Sequence, residues 1–496
     1  MLLSALIVHG CITYDLSVST ILPVPKGKNL NYSSSDNYRA IALSSIIGKI
    51  FDIYILNRYN NLLISTCLQF GFKAGHSTSM CTMILKEALD YYRSNNSTVY
   101  CTMLDITKAF DRVEYCKLIR LLLYKKIPAI IVRILLHLYL SLFTSVEWNG
   151  ARSDIFCVTN GVRQGAILSP ILFCVYFDDL LHALSDNGSG CYIGTFFVGA
   201  LAYADDLVLI APSANAMRQM LQICDEYARN YKVKFNSYKS KCLRCHPTGS
   251  SKRPSNSVYC LPFQIGSHII EFVDSWPHLG HIITSDCDDS VDISSKKTSF
   301  IGQVNKILCN FRSICCLTKS KLVKAYCTSF YGVELWDLSH RDIESLCVAW
   351  RKGIRRIWQI PNTTHSVLLP FLCNTIPPLD LFYKRMLSFM HRCLNSQSLI
   401  VAFVARHAIL HGAGESIMGR NIVNCALRYN VSQDDILTMM FSPYDIDKRY
   451  TQDENACNTA TLLFELLQCR DGNLRLSSNN FDRFDIANMI ELLCTH

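Results

Sequence analysis

A chain of 496 residues is longer than one hydrophobic core ordinarily serves, so two or three subdomains are expected. Half of the residues are hydrophobic, which excludes a disordered chain, and the net charge of +9 suits a partner made of phosphates while fitting a solvated basic surface equally well. The 24 cysteines lie in apolar runs such as Leu172-Phe173-Cys174-Val175 rather than framing loops, which points to free thiols in a reducing, intracellular setting.

Taken in chain order, Met1 to Val8 lacks the basic start and cleavage site of a secretory signal. Pro23 to Lys28 closes a strand-like run and opens a polar loop reaching Asn37, after which Asn37 to Leu43 resumes order. Gln69-Phe70-Gly71-Phe72-Lys73-Ala74-Gly75-His76-Ser77-Thr78 holds two turn-permitting glycines and leads into an amphipathic helix expected over Ser79 to Tyr92. Val99 to Leu104 is a short apolar run suited to a buried strand that delivers Asp105 to a sheet edge. Ile127 to Val146 is largely apolar, but Arg133 and His137 interrupt it at helical spacing, so it reads as a buried or amphipathic helix and not as a membrane span.

Asn160 to Pro170 is a glycine-marked loop ahead of an apolar helix expected over Ile167 to Leu184, whose Tyr176, Asp178 and Asp179 read as packing and surface residues. Ala202-Tyr203-Ala204-Asp205-Asp206-Leu207-Val208-Leu209-Ile210 places two adjacent carboxylates at a tight turn between apolar arms. Like charges this close raise each other's pKa unless a cation neutralises them, so the pair makes chemical sense as a divalent-metal seat, with a solvated turn as the alternative. Asp105 is the third carboxylate such a seat calls for. A helix is expected over Ala214 to Tyr231, with Met217, Leu221, Cys224 and Ala228 on one stripe. Cys242, Cys245 and His246 have the spacing of half a zinc site, but no second half follows. Ser299 to Arg312 and Ser320 to Phe330 have helical periodicity and offer Lys306, Arg312, Lys321 and Lys324 to a duplex. Trp350 to Trp358 places Arg351, Lys352, Arg355 and Arg356 on one side of a helix, able to track a phosphate backbone or to stand as a solvated face over a tryptophan stripe. From Ala402 onward no motif is readable.

The order of Leu104-Asp105-Ile106-Thr107-Lys108-Ala109-Phe110-Asp111-Arg112-Val113, Asn160 to Pro170, and the Asp205-Asp206 hairpin resembles the reverse transcriptases of LINE-type, non-LTR retrotransposons, in collinear blocks from about Ile21 to Thr284. The resemblance implies an α+β right-hand polymerase: fingers and a palm with an antiparallel sheet over residues 1–285, a helical thumb over 286–400, and a helical C-terminal region over 401–496. It implies two magnesium ions, or manganese in their place, on Asp105, Asp205 and Asp206. Lys26 and Arg39 would hold the incoming triphosphate, as a point charge and a bidentate fork respectively. Phe110 would exclude a 2′-hydroxyl, and Gln164 and Gly165 would floor the nucleotide pocket. Lys73 stands where the family more often has arginine at a template contact. Lys239, in Phe235-Asn236-Ser237-Tyr238-Lys239-Ser240-Lys241-Cys242, would protonate the leaving pyrophosphate or is a surface lysine. Gly280, in Trp276-Pro277-His278-Leu279-Gly280-His281, would let backbone approach the primer. The expected partners are an RNA template, a DNA primer and deoxynucleoside triphosphates, with no membrane; the nucleus is a natural site of action but no import cluster marks it. Members of the family commonly carry an endonuclease ahead of the polymerase, and Met1 lies close to the first fingers block, so a fragment or truncated copy without it is expected. The rival expectations are an inactive remnant that only binds nucleic acid, and a DNA-templated or template-independent polymerase on the same palm.

Overall fold

Runs rich in β-branched and apolar residues become the strands that carry the site, and amphipathic stretches become the helices that cover them. In the computed structural model, residues 2–10, 12–27, 31–249, 261–373, 375–410, 416–433 and 436 are described. The strands are β1 (Val18–Pro25), β2 (Tyr38–Ser44), β3 (Val99–Leu104), β4 (Phe143–Trp148), β5 (Ala200–Tyr203), β6 (Asp206–Ala211), β7 (Lys241–Cys245), β8 (Phe263–Ile265) and β9 (His268–Phe272). The helices that matter below are α1 (Ile46–Tyr59), α2 (Thr78–Ser94), α3 (Ala129–Leu140), α4 (Ser169–Asn187) and α5 (Ala214–Tyr231).

One compact unit comprises residues 1–81, 97–244 and 249–273, and the other comprises 82–96, 245–248 and 274–496. This differs from a division at 285/286, because the second half of α2 carries Lys86, Glu87 and Asp90 and finds its partners far along the chain.

In the first unit, β1 pairs antiparallel with β2 and parallel with β4, with Ile21 opposite Ala42 and Val146. The short strands Ala151–Arg152 and Phe156–Cys157 complete this five-stranded sheet on β4. The second sheet has six strands in the order β8-β9-β7-β3-β6-β5. It is mainly antiparallel, but β7 and β9 run parallel, with Lys241 opposite Glu271. All six residues of β3 are buried, as a central strand covered on both faces requires. Helices α4 and α5 pack on each other and back this sheet, and the Ser213 hydroxyl caps α5 by accepting from the Ala216 N–H at 3.2 Å.

The apolar stretch 127–146 is not one helix. Chain turns at Ser141, and Phe143 onward is strand because β4 gains backbone partners in β1, 125 residues earlier in sequence. No helix among the described residues is long and apolar enough to cross a membrane.

Among its described residues from 274 onward, the second unit is helical apart from the hairpin Ser275–His278 and His281–Thr284. Its helices Ser290–Asn310, Cys316–Tyr326, Arg341–Trp358, Pro378–Leu394, Leu399–Leu410 and Ile417–Tyr429 enclose a core around Trp336, Phe382 and Phe389. The two helices expected over 299–312 and 320–330 are present with earlier starts. Most of the C-terminal stretch 401–496 lies outside the described residues.

Candidate active site

Three carboxylates meet at one end of the six-stranded sheet. Register fixes two of them: Leu104 is opposite Leu207, so Asp105, one residue past the end of β3, lies beside Asp206, the first residue of β6. Asp206 also pairs with Tyr203, which leaves Ala204 and Asp205 as the two-residue turn between β5 and β6. Ala204 has φ +58°, a left-handed conformation that an L-residue adopts at a cost. The far side of Asp105 is zipped to the segment 234–240. The Asn236 N–H donates to the Asp105 carbonyl at 2.8 Å, the Thr107 N–H donates to the Lys234 carbonyl at 2.8 Å, and the Asp105 N–H donates to the Ser240 hydroxyl at 3.2 Å.

Electrostatics identify these three as one group. Burial raises the Asp205 carboxyl, and Asp105 raises it further, while Arg39 opposes the rise. Asp206, though exposed at the strand end, is pushed up to about 6 by partial desolvation first, then by Asp205 and Asp105. Mutual repulsion of this kind is relieved by a divalent cation. Among the described residues no three acidic, histidine or cysteine side chains are already drawn into a cage for a single ion. The donor set fits hard cations that bridge protein carboxylates and a substrate's phosphates, a use that leaves the protein cage open.

Around this cluster the expected pocket residues divide into those the structure leaves available and those it engages. Arg39, on β2, is exposed and its charge reaches Asp205. Lys26 is exposed and donates to the Asp36 carbonyl at 2.7 Å, while the Asp36 carboxylate pairs with Lys108 at 2.9 Å. Phe110 is half-buried, stacked on Phe173 at 5.1 Å, with Phe72 edge-on at 6.5 Å. Phe72 is exposed with φ +58°, an uncommon backbone state for a bulky residue, and the sequence reading assigned it no role. The Gln164 amide donates to Asp111 at 3.1 Å, so Asp111 orients Gln164. Lys239 is exposed, and its N–H donates to the Asn236 side chain at 3.3 Å.

Four of the expected site residues are engaged within the fold. Gly165 has φ +120°, and a Cβ there would lie 2.7 Å from the Ala42 carbonyl oxygen, so β2 already accounts for its being glycine. Lys73 spends its ammonium on the carbonyls of Ser65 and Thr66, and burial lowers its pKa; a template contact is not where it points. Gly280, with φ +83°, faces the Tyr331 ring, which a Cβ would approach to 2.7 Å, and its carbonyl accepts from Lys296 at 2.8 Å. Arg355 is buried and donates to the Thr364 carbonyl at 2.7 Å and the Ser366 hydroxyl at 3.0 Å, which removes it from any basic stripe. Of the other three bases expected in that stripe, Arg351 pairs with Glu344, Arg356 donates to Asn305 at 2.6 Å, and Lys352 is exposed.

Residues 24–303 match the family model described as reverse transcriptase (RNA-dependent DNA polymerase). The chain belongs to the reverse transcriptase family. Among its relatives is the Retrovirus-related Pol polyprotein from type-1 retrotransposable element R2 of Nasonia vitripennis. It is 27% identical over 251 residues, covering 50% of this chain and 24% of the relative. The RNA-directed DNA polymerase from mobile element jockey of Drosophila funebris is 25% identical over 347 residues, covering 66% of this chain and 36% of the relative. The LINE-type, non-LTR character expected from the sequence is borne out by these relatives, of which the chain spans about a quarter to a third. A telomerase from Candida tropicalis, solved with a fragment of telomeric RNA, aligns with a TM-score of 0.42 at 11% identity, over 87% of this chain and 65% of that one. The expected fold class, an α+β reverse transcriptase right hand with a sheet-built palm, holds for this chain.

Proposed function

We propose that this chain is an RNA-directed DNA polymerase that extends a DNA primer on an RNA template. The observation that carries the reading is the convergence of Asp105, Asp205 and Asp206 at one sheet end, where Asp105 adds to the rise of the Asp205 carboxyl and both add to the rise of Asp206. These three side chains would hold two magnesium ions, with manganese as a substitute. Such ions, when bound, lower the pKa of a hydroxyl nucleophile and offset the charge of a triphosphate. In the reaction the primer 3′-hydroxyl gives up its proton to water, its oxygen forms a bond to the α-phosphorus, the bond from that phosphorus to the bridging oxygen breaks, and pyrophosphate leaves.

The chain's own residues supply the rest. Arg39 and Lys26 on β2 and at the end of β1 grip the triphosphate oxygens, and Arg39 also draws the nucleotide toward the carboxylates. Phe110, backed by Phe173, fills the space a 2′-hydroxyl would need. Gln164, oriented by Asp111, hydrogen-bonds at the pocket floor. Lys239 donates a proton to the departing pyrophosphate. The first unit serves as fingers and palm, and the helices after 286 serve as a thumb whose exposed Lys306, Arg312, Lys321, Lys324, Lys352 and Arg356 follow a duplex backbone.

The test is extension of a labelled DNA primer on matched RNA and DNA templates, comparing the parent with Asp205→Asn. The expected outcome is RNA-templated synthesis by the parent that drops at least about a thousandfold in the variant, as loss of a metal-held transition state predicts. Silence in both, with template and primer still bound, would leave a nucleic-acid-binding protein; synthesis on DNA templates alone would overturn the RNA-directed assignment.

A further inference from the structure

We propose that Gln69 is a positioning residue for the acidic turn: its buried carboxamide brackets the backbone of Ala204 and so fixes where Asp205 stands relative to Asp105. The inference rests on the polymerase reading for its catalytic consequence, but its geometry is independent of it.

Gln69 is fully buried, and its side chain closes on one residue from both sides. Its Oε1 accepts from the Ala204 N–H at 2.9 Å, and its Nε2 donates to the Ala204 carbonyl at 3.2 Å. The same Oε1 accepts from the Gly71 N–H at 2.8 Å. Because both N–H groups are obligatory donors, the orientation of the amide is determined. Around it the segment 68–70 runs parallel to β5: the Phe70 N–H donates to the Ala202 carbonyl at 2.7 Å and the Ala202 N–H to the Leu68 carbonyl at 2.9 Å. Gly71 completes the fit, since a Cβ there would stand 2.3 Å from the Ala204 nitrogen.

Only an amide of this length does this. Glutamate would accept from the two N–H groups but repel the Ala204 carbonyl and add a fourth negative charge; asparagine is one methylene short; methionine fills the space and bonds to nothing. The bracketed residue is the one with a left-handed φ, directly before Asp205. A two-residue turn carrying that conformation has other minima close by, and each would swing the Asp205 carboxylate away from Asp105.

The experiment uses the full chain as parent, Gln69→Met and Asp205→Asn. It reads Mn2+ binding by electron paramagnetic resonance, primer extension, and thermal unfolding. In Gln69→Met the expected results are Mn2+ binding weakened roughly tenfold and kcat lowered ten- to a hundredfold, the range for groups that orient metal ligands. KM for the nucleotide should stay within about twofold, since Gln69 does not reach the triphosphate-binding side chains. If Gln69→Met does not fold, the same substitution in an Ala204→Gly background, where glycine takes the left-handed turn freely, is measured instead; failure of both to fold would assign Gln69 to stability and overturn the proposal. Parent-like Mn2+ binding and kcat in Gln69→Met would also overturn it, as would a parent that binds no Mn2+. A parent that extends no primer, while Gln69→Met still weakens Mn2+ binding, would overturn the polymerase reading and leave this inference standing.

Discussion

Charge is handled in opposite ways by the two units. In the second, several buried charged side chains each meet a partner. Lys86 meets Asp289 at 2.6 Å and the Leu335 carbonyl at 2.6 Å; Asp292 accepts from the Trp336 indole at 2.8 Å; Asp380 accepts from Arg428 at 3.1 Å and Tyr429 at 2.6 Å. In the first, Asp105, Asp205 and Asp206 lie together at one sheet end, and Arg39, whose charge opposes the rise of Asp205, is exposed. Paired charge serves the fold, whereas unpaired like charge raises the free energy of the folded state and is retained where a ligand will neutralise it.

The comparison breaks most visibly at Lys86. Lys86→Met strands the buried Asp289 carboxylate and should lower stability by about 3–5 kcal/mol in denaturant unfolding, whereas Asp205→Asn, which removes repulsion, should leave the unfolding midpoint unchanged or raised. Next comes Glu87, buried in the second unit and pushed up to about 7 by that burial. Its folded pKa lies above the unfolded value, so the folded chain holds the extra proton, and stability is full at low pH and falls as pH rises toward 7. Glu87→Gln should therefore flatten the stability profile and gain about 3 kcal/mol above pH 7, with no gain near pH 4; a parallel pair of curves in denaturant unfolding would contradict this. In the first unit, Phe110→Ala should reduce discrimination against ribonucleotides by roughly ten- to a hundredfold, read as the ratio of kcat/KM values. The smallest effect separates two bases on one helix. Arg356→Ala should leave stability within about 0.5 kcal/mol and reduce the salt slope of duplex binding by about one, while Arg355→Ala should leave the slope alone and cost about 1–3 kcal/mol through its orphaned hydrogen bonds.

The site's acidic centre was legible because local rules decide it: an all-apolar run before Asp105 and an apolar hairpin around Asp205-Asp206 each specify a strand end. The helix 214–231 was legible to the residue for the same reason, with a serine cap and an unbroken stripe. What was hidden depends on partners distant in sequence. Nothing near Arg355 foretells that the loop at 364–366 folds over it, nor does the spacing of Lys86, Glu87 and Asp90 foretell that α2 carries ion-pairing residues of the second unit. Gln69 was visible as a letter in a glycine-rich block, but its role exists only once Ala204, 135 residues later, lies against it.

The join between β2 and the Gln164 loop has a mechanical consequence. The Ala42 N–H donates to the Gln164 carbonyl at 2.7 Å, and Gly165 lies directly against the Ala42 carbonyl. Arg39, three residues back along the same strand, is therefore geared to Gln164. Any displacement of β2 would be passed to the Gln164 loop, so that Arg39 and Gln164, proposed above to meet opposite ends of one nucleotide, would move as a single jaw.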